Sequence, residues 1–179
     1  TELVQQRDRA LGNHSSDVAT LVQQVALNLG VPAREAQMMR LAGQLHDIGK
    51  IGVPDAILQK PARLTEEEWR QMKRHPEMGA EVVARIPALR PLSSLIRAHH
   101  ERWDGMGYPD QLQEEAIPLG ARVITVVDAY TAMIAERSYQ RARSSEAAVR
   151  ELRHCAGRQF DPAVVEALDA YVARRTAEG

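Results

Sequence analysis

The sequence predicts an all-α protein folded as a single helical bundle, and three observations support this fold class. Apolar residues recur three and four positions apart in most segments, which is the spacing of one helix face. Helix-start signals precede several of these segments, as where Thr65 and Glu68 form a capping-box pair. The run 123–127 has local strand propensity, but no partner strand bounded by turns accompanies it. Helices packed on helices are therefore the expected architecture.

The first helix is expected over 18–29, because Gly30 and Pro32 follow it and each can end a helix. Near the other end of the chain, Asp161 followed by Pro162 is an N-cap with proline in the first turn. Two stretches rich in proline or glycine, 53–63 and 103–117, are expected to be loops. The remaining helices are predicted at about 38–45, 66–72, 77–86, 92–100, 118–134, 145–157 and 162–172.

Composition and charge exclude several classes of protein. The chain of 179 residues is 44% hydrophobic and 26% charged, which suits one folded domain rather than a disordered chain. A formal net charge of −1 argues against binding DNA through the overall electrostatic field. The apolar runs are too short for a membrane span or a signal peptide, and a lone cysteine, Cys155, cannot form an internal disulfide. The predicted location is the cytoplasm.

Histidine and aspartate residues carry the predicted chemistry. His46 and Asp47 are adjacent at the end of a predicted helix, where the backbone leaves the helical path and both side chains can face one cavity. Imidazole and carboxylate groups are ligands for divalent iron, manganese, zinc or nickel. A single histidine at a helix end is more often a cap or a surface residue, so the prediction of a metal site depends on several of them converging. The six histidines are His14, His46, His75, His99, His100 and His154.

Three further positions complete this pattern. His75 precedes Pro76 and is expected just outside the start of the next helix. Asp128 lies in an otherwise apolar helical stretch, where a buried carboxylate must be paired, hydrogen-bonded or bound to a metal. His154 stands apart from the others, so it is expected to be structural or exposed.

The same residues make the sequence resemble the HD-GYP family, a group within the HD superfamily. The resemblance extends from His14 to Val165 and rests on ordered blocks at plausible separations. It implies an all-α HD-type bundle with a metal cleft formed by loops, and hydrolysis of the bacterial second messenger cyclic di-GMP. These blocks are HDIGKIGVPDAIL, HPEMGA, HHERWDGMGYP, IPLGARVITVVDAY, ERSY and FDP.

The resemblance implies a binuclear metal centre. One divalent ion is expected to be held by His14, His46, Asp47 and Asp128, and Asp47 is expected to bridge to a second ion. The other ligands of the second ion are expected to be His75, His99 and His100. Iron or manganese is favoured and zinc or nickel would also fit these ligands. The attacking group implied by the resemblance is a bridging hydroxide, and a third ion is not expected because Ala10 stands where some members have a glutamate.

The resemblance also assigns catalytic and substrate-binding residues. Lys50 matches a family lysine near the scissile phosphate, so Asp47 and Lys50 are the expected catalytic residues. The implied substrate-binding residues are Gly107, Tyr108, Pro109, Arg137 and Tyr139. The implied products are linear pGpG and, more slowly, GMP. The Gly-Tyr-Pro residues are also implicated in contacts with GGDEF-domain proteins; without the resemblance they would indicate only a turn.

The sequence departs from the family pattern at several positions. Gln111 and Glu114 replace usual glycines after the Gly-Tyr-Pro block, which predicts a different loop path. Gln140 replaces a common basic residue and Thr131 a common aspartate. These differences bear on affinity for the substrate more than on the hydrolytic chemistry.

Two alternative functions therefore stay open. The first is a catalytically weak module that binds cyclic di-GMP and signals through partner contacts. The second is a nucleotidase or di-iron oxygenase of the HD superfamily, which would leave the Gly-Tyr-Pro block unexplained.

The domain organisation predicted from the sequence has two parts. Residues 1–13 are expected to end a linker helix from an upstream sensor or receiver domain, and residues 14–179 to form the HD-GYP domain. A homodimer formed through the linker helix is compatible with this arrangement.

Overall fold

The computed structural model describes residues 9–135 and 142–178, and the side chains of 15–135 and 142–177. It confirms the all-α class, because the described residues form nine α-helices and no strand longer than an isolated bridge. The helices are α1 (Arg9–Asn28), α2 (Ala33–Leu45), α3 (Asp55–Leu58), α4 (Glu66–Met72), α5 (His75–Ala84), α6 (Ser93–Arg97), α7 (Leu119–Ile134), α8 (Ser145–Cys155) and α9 (Pro162–Glu178).

The hydrophobic core lies where α1 packs against α2, α7 and α9. The buried face of α1 repeats at helical spacing and includes Val18, Val22 and Val25. The run 123–127 lies within α7, as the predicted helix over 118–134 requires, because helical packing outweighs its local β propensity. The core thus holds α2 and α7, the helices that contribute His46, Asp47 and Asp128.

Helix starts follow the predicted capping signals. Thr65 Oγ1 accepts a hydrogen bond from the Glu68 backbone, and the Glu68 carboxylate accepts one from the Thr65 backbone at 2.7 Å. Ser144, rather than Ser145, is the N-cap of α8 and accepts from the Ala147 amide at 3.2 Å. At the start of α9, the Asp161 carboxylate accepts from the Ala163 amide at 2.8 Å. Local sequence therefore determines where these helices begin.

The predicted elements differ from the structure in four places, and the first is α1, which begins at Arg9 rather than at residue 18. The helix expected over 92–100 is a 3₁₀ turn, Arg90–Leu92, followed by the short α6, which ends at Arg97. The two predicted loops contain helical turns, namely α3 and the 3₁₀ helix Glu114–Ala116. His75 is the first residue of α5 rather than lying outside it, with Pro76 in the first turn.

In the described part of the chain, no helix combines the length and the apolar character needed to cross a membrane. The predicted boundary between residues 13 and 14 falls within α1, and the division into linker and domain stays a prediction.

Candidate metal centre

Three separate parts of the chain converge at one site. His46 and Asp47 follow the last residue of α2, and the 3₁₀ helix Ile48–Gly52 then turns the chain away. His75 begins α5, and His99 and His100 follow α6. Because α6 ends at Arg97, the adjacent histidines are not constrained to different sides of a helix and both face the site.

Three of the histidines each make the same type of hydrogen bond to the backbone. The Nδ1 atoms of His46, His75 and His99 lie 2.7, 2.8 and 2.6 Å from the carbonyl oxygens of Gly43, Met72 and Ile96. Each carbonyl belongs to the residue three positions earlier, and a carbonyl can only accept. Nδ1 therefore carries the proton, which leaves Nε2 with a free lone pair when the ring is neutral, the form that binds metals.

The Nε2 atoms of the second predicted ligand set face one another. His75 Nε2 lies 3.3 Å from His99 Nε2 and 3.2 Å from His100 Nε2. Asp47 Oδ1 lies 3.3 Å from His75 Nε2. Two nitrogens bound at 2.0–2.1 Å to one tetrahedral ion are about 3.3 Å apart. His75, His99, His100 and Asp47 therefore fit a single divalent ion, and all four donor atoms lie within 4.8 Å of one another.

The other predicted set adjoins the same aspartate. His46 Nε2 lies 3.4 Å from Asp47 Oδ2 and 3.8 Å from Asp128 Oδ1. The two carboxylate oxygens of Asp47 thus face different histidines, as a bridging ligand requires. Asp128 was expected to be buried, but its side chain is 28% exposed. The side chain of His14, in α1, lies outside the described residues.

Burial and neighbouring charges shift the pKa values of the site histidines in different directions. Burial lowers the pKa of His99 well below its ordinary value, and neighbouring His100 adds to the effect. Burial, with His75 as a second cause, lowers the pKa of His100 to about 3. For His46, burial acts in the same direction, but the Asp47 and Asp128 carboxylates outweigh it and raise the pKa to about 9. His99 and His100 are therefore neutral at pH 7, as metal ligands must be.

Lys50 is engaged with the central carboxylate. Its Nζ donates to Asp47 Oδ2 at 2.6 Å across one turn of the 3₁₀ helix. Although burial would raise the pKa of Asp47, His46 and Lys50 hold it well below the usual range. The Lys50 ammonium thus approaches the site next to Asp47 Oδ2.

The Gly-Tyr-Pro residues pack directly on the histidine pair. A Cβ on Gly107 would overlap the Arg102 amide nitrogen, so glycine is needed here for close backbone approach rather than for a turn. The Tyr108 amide donates to the His100 carbonyl at 3.2 Å, and its ring stacks on the His100 ring with centroids 4.9 Å apart. Burial, then the charges of Asp47 and Asp128, raise the pKa of Tyr108. The peptide bond from Tyr108 to Pro109 is cis.

Glu101 was not recognised as functional in the sequence, yet it anchors this loop. Its side chain is buried, and Oε1 accepts from the Asp110 amide at 2.6 Å. The Asp110 carboxylate in turn accepts two hydrogen bonds of 2.7 Å from Arg97, at the end of α6. The available sequence signal was a carboxylate directly after the histidine pair. The short segment from Arg97 to Glu101 therefore positions both the Gly-Tyr-Pro loop and the candidate ligands His99 and His100.

Two non-glycine residues in this loop adopt a backbone conformation that favours glycine. Gln111 and Glu114 have φ angles of 55° and 48°, in the left-handed region that glycine adopts without strain. Their side chains therefore cost local strain at these two positions. The expectation of a different loop path stays a prediction.

The remaining predicted residues are placed as follows. His154 is exposed, which agrees with its exclusion from the site. The Thr131 hydroxyl donates to the Val127 carbonyl within α7 at 3.0 Å. Arg137, Tyr139 and Gln140 lie outside the described residues, so their assignments stay predictions.

Comparison with known proteins identifies the family to which this helical chain, with its candidate metal site, belongs. The HD domain model matches residues 1–164, and the chain belongs to the HD domain family. The resemblance to the HD-GYP group is confirmed by relatives that are named as cyclic di-GMP phosphodiesterases. The chain is 45% identical over 148 residues to the cyclic di-GMP phosphodiesterase response regulator RpfG of Xanthomonas campestris, covering 80% of this chain and 39% of that protein.

Two further proteins extend the comparison. The 3'3'-cGAMP-specific phosphodiesterase 2 of Vibrio cholerae is 37% identical, covering 96% of this chain and 34% of that protein. The solved structure of Bd1817, an HD-GYP-type protein from Bdellovibrio bacteriovorus, superimposes with a TM-score of 0.72 at 21% identity. It covers 91% of this chain and 52% of that one, and it supports the fold alone. The chain thus spans between a third and a half of the length of these relatives.

Proposed function

We propose that this chain hydrolyses cyclic di-GMP to linear pGpG, and more slowly to GMP, with two divalent ions. The observation that carries the proposal is the convergence of three imidazole Nε2 atoms and one carboxylate at metal-ligand separations. The names of the relatives support the substrate class, since they include phosphodiesterases of cyclic di-GMP and of 3'3'-cGAMP. An oxygenase or mononucleotidase would leave the packing of Gly107 and Tyr108 beside the ligands without a role.

The proposed ligands form two sets that share Asp47. His75, His99 and His100 hold one ion, while His46 and Asp128, with His14, hold the other. Iron or manganese is favoured, and zinc or nickel also suits imidazole and carboxylate. When bound, two such ions lower the pKa of water and stabilise the charge that develops on the phosphodiester.

Residues of the chain supply the other requirements. Lys50, which now donates to Asp47, lies where it can transfer a hydrogen bond to a non-bridging phosphate oxygen and stabilise charge in the transition state. Tyr108, with Gly107 and Pro109, forms a wall of the substrate site, held against His100. Arg137 and Tyr139 are proposed to hold the dinucleotide, with the Arg137 guanidinium on a phosphate.

The proposed partners follow from the family. The Gly-Tyr-Pro residues are a candidate contact for GGDEF-domain proteins, and Met106 beside them is 78% exposed. An upstream sensor or receiver domain and a homodimer complete the proposal.

The decisive experiment incubates manganese- or iron(II)-loaded protein with cyclic di-GMP, 3'3'-cGAMP and cyclic di-AMP separately, followed by chromatography. We expect linear pGpG from cyclic di-GMP at the highest rate. If 3'3'-cGAMP is cleaved faster than cyclic di-GMP, the proposed substrate is wrong, but the proposed reaction, hydrolysis of a cyclic dinucleotide, still holds. Tight nucleotide binding without any linear product would instead indicate the signalling module.

Elemental analysis tests the number of ions. We expect two divalent ions per chain in the wild type, none in Asp47→Ala because both sets share that carboxylate, and one in Asp128→Ala. Two ions retained in Asp47→Ala would exclude bridging by this residue.

A further inference from the structure

An exposed aromatic side chain lies next to the metal centre without a role in it. Trp69, in α4, is 45% exposed. The helix that carries it is fixed by the capping box of Thr65 and by Lys60, whose Nζ donates to Glu68 at 2.6 and 2.8 Å. The Met72 carbonyl at its end accepts from His75 Nδ1. The position of Trp69 is thus tied to a metal ligand through one short helix.

Lys73 links this tryptophan to the substrate site. Its Nζ lies 5.8 Å from the centre of the Trp69 ring and 5.3 Å from the centre of the Tyr108 ring. Tyr108 stacks on His100, which belongs to the ligand set. A continuous row therefore leads from the metal centre outward through Tyr108 and Lys73 to Trp69.

The two aromatic rings differ in what they can still contact. The Tyr108 ring already has His100 stacked on it and the Lys73 ammonium near its centre. A nucleobase could lie on Tyr108 only by displacing one of these groups. Trp69 retains a large exposed surface, and every nucleobase has a face that can stack on such a ring.

We propose that Trp69 and Lys73 form a subsite for the half of a cyclic dinucleotide that lies away from the metal centre. One purine base stacks on Trp69, and the Lys73 ammonium faces the phosphodiester that is not being cleaved. This inference rests on the proposed function, since it takes a cyclic dinucleotide as the substrate. The subsite contributes binding energy and touches no reacting atom, so its loss changes KM rather than kcat.

The first test compares KM and kcat for cyclic di-GMP in four variants. Trp69→Ala and Trp69→Leu should raise KM roughly 5- to 100-fold, the range for loss of one stacked base, with kcat within about twofold. Trp69→Phe should restore most of the affinity because it keeps an aromatic face. Arg70→Ala is the matched control, since Arg70 is exposed on the same helix and its ion pair is with Glu67, in that helix. A wild-type KM in Trp69→Ala and Trp69→Leu would overturn the subsite.

The second test measures binding directly and does not need turnover. The chain has two tryptophans, so Trp103→Phe makes Trp69 the only indole reporter. Adding Lys50→Ala slows cleavage during a titration with cyclic di-GMP. A saturable change in Trp69 emission supports stacking, and no change overturns it. If the wild type hydrolyses cyclic di-GMP but Trp69 emission does not change, the subsite proposal alone is wrong. If neither hydrolysis nor binding is detected, the proposed function is wrong as well.

The third test concerns Lys73. Lys73→Gln should raise KM and flatten its dependence on salt concentration, because one charge contact to a phosphate is lost. Lys73→Arg should retain the salt dependence. An unchanged salt dependence in Lys73→Gln would exclude the phosphate contact.

Discussion

Lys50 is in direct contact with the proposed bridging carboxylate, with Nζ 2.6 Å from Asp47 Oδ2. It is not in either proposed ligand set, so its removal should separate catalysis from metal binding. We expect Lys50→Ala to lower kcat about 10²–10³-fold, as for loss of one preorganised charge at a transition state, with two ions retained. Steady-state kinetics with elemental analysis of the same sample checks this. Loss of an ion would show instead that Lys50 acts by holding Asp47.

Glu114 provides a residue-scale test of strain. Its φ of 48° places a non-glycine residue in the left-handed region, which costs about 1–2 kcal/mol. Glycine relieves this strain but has greater entropy in the unfolded chain. We therefore expect Glu114→Gly to raise the free energy of unfolding by about 0.5–1 kcal/mol in a urea titration.

The neighbouring residue is the control for that prediction. Gln113 has an extended backbone with φ −121°, where glycine brings no relief. Gln113→Gly should lower stability by about 0.5–1 kcal/mol. Equal effects of the two substitutions would contradict the strain argument.

At the scale of elements, the contact between the 3₁₀ helix Ile48–Gly52 and α5 sets the distance between Asp47 and His75. Gly49 is buried there, and a Cβ on it would overlap the His75 carbonyl oxygen and approach the Gly79 amide nitrogen. Both neighbours are backbone atoms of α5 and cannot rotate away. This close approach brings a carboxylate and an imidazole from different elements to 3.3 Å, the separation that one shared ion would need.

We predict that Gly49→Ala forces these two elements apart. It should lower the free energy of unfolding by about 3 kcal/mol, at the upper end for overpacking, and weaken metal binding at His75. Gly52→Ala is the matched control in the same turn, because its Cβ would meet only the flexible Met78 side chain. Thermal unfolding and metal titration of both variants check this, and equal effects would contradict it.

Element prediction succeeded where the signals are local and failed where the chain turns sharply. The capping box at Thr65 and the N-cap at Asp161 are written in adjacent residues, and both are present. The helix predicted over 92–100 extends too far, because the chain leaves the helix after Arg97 and turns His99 and His100 toward the site. His99 is held there by the Thr125 hydroxyl, which donates to the His99 carbonyl at 2.7 Å from α7. No local pattern reveals a contact between residues 26 positions apart.

For the whole molecule, a buried ion pair connects α7 to α9. Arg122 Nη1 donates to the Asp161 carboxylate at 2.6 Å, and the Asp161 side chain is 3% exposed. Arg122 also donates to the Ile117 carbonyl, and its guanidinium lies 5.7 Å from the centre of the Trp103 ring. One pair thus joins the C-terminal helix to the helix that carries Asp128 and to the loop before it.

We predict that Asp161→Ala lowers the free energy of unfolding by about 3–5 kcal/mol, because Arg122 is left largely buried without its partner and α9 loses a cap. Glu151→Ala is the control, since its pair with Arg143 is exposed and should contribute under about 1 kcal/mol. Chemical denaturation of both variants measures the difference. Similar losses of stability in the two variants would show that the buried Asp161–Arg122 pair stabilises the fold no more than the exposed pair does.

The amino-acid sequence by itself determined the helical class, most helix starts and which side chains were candidates for binding a metal, because periodicity, caps and ligand type are properties of short segments. Only the tertiary structure decided that the Nε2 atoms of His75, His99 and His100 face one another around Asp47, and that Glu101 anchors the Gly-Tyr-Pro residues. These relations join residues distant in the chain, and packing of the core fixes their distances. Metal-ligand geometry depends on separations of a few tenths of an ångström, which no spacing along a sequence specifies.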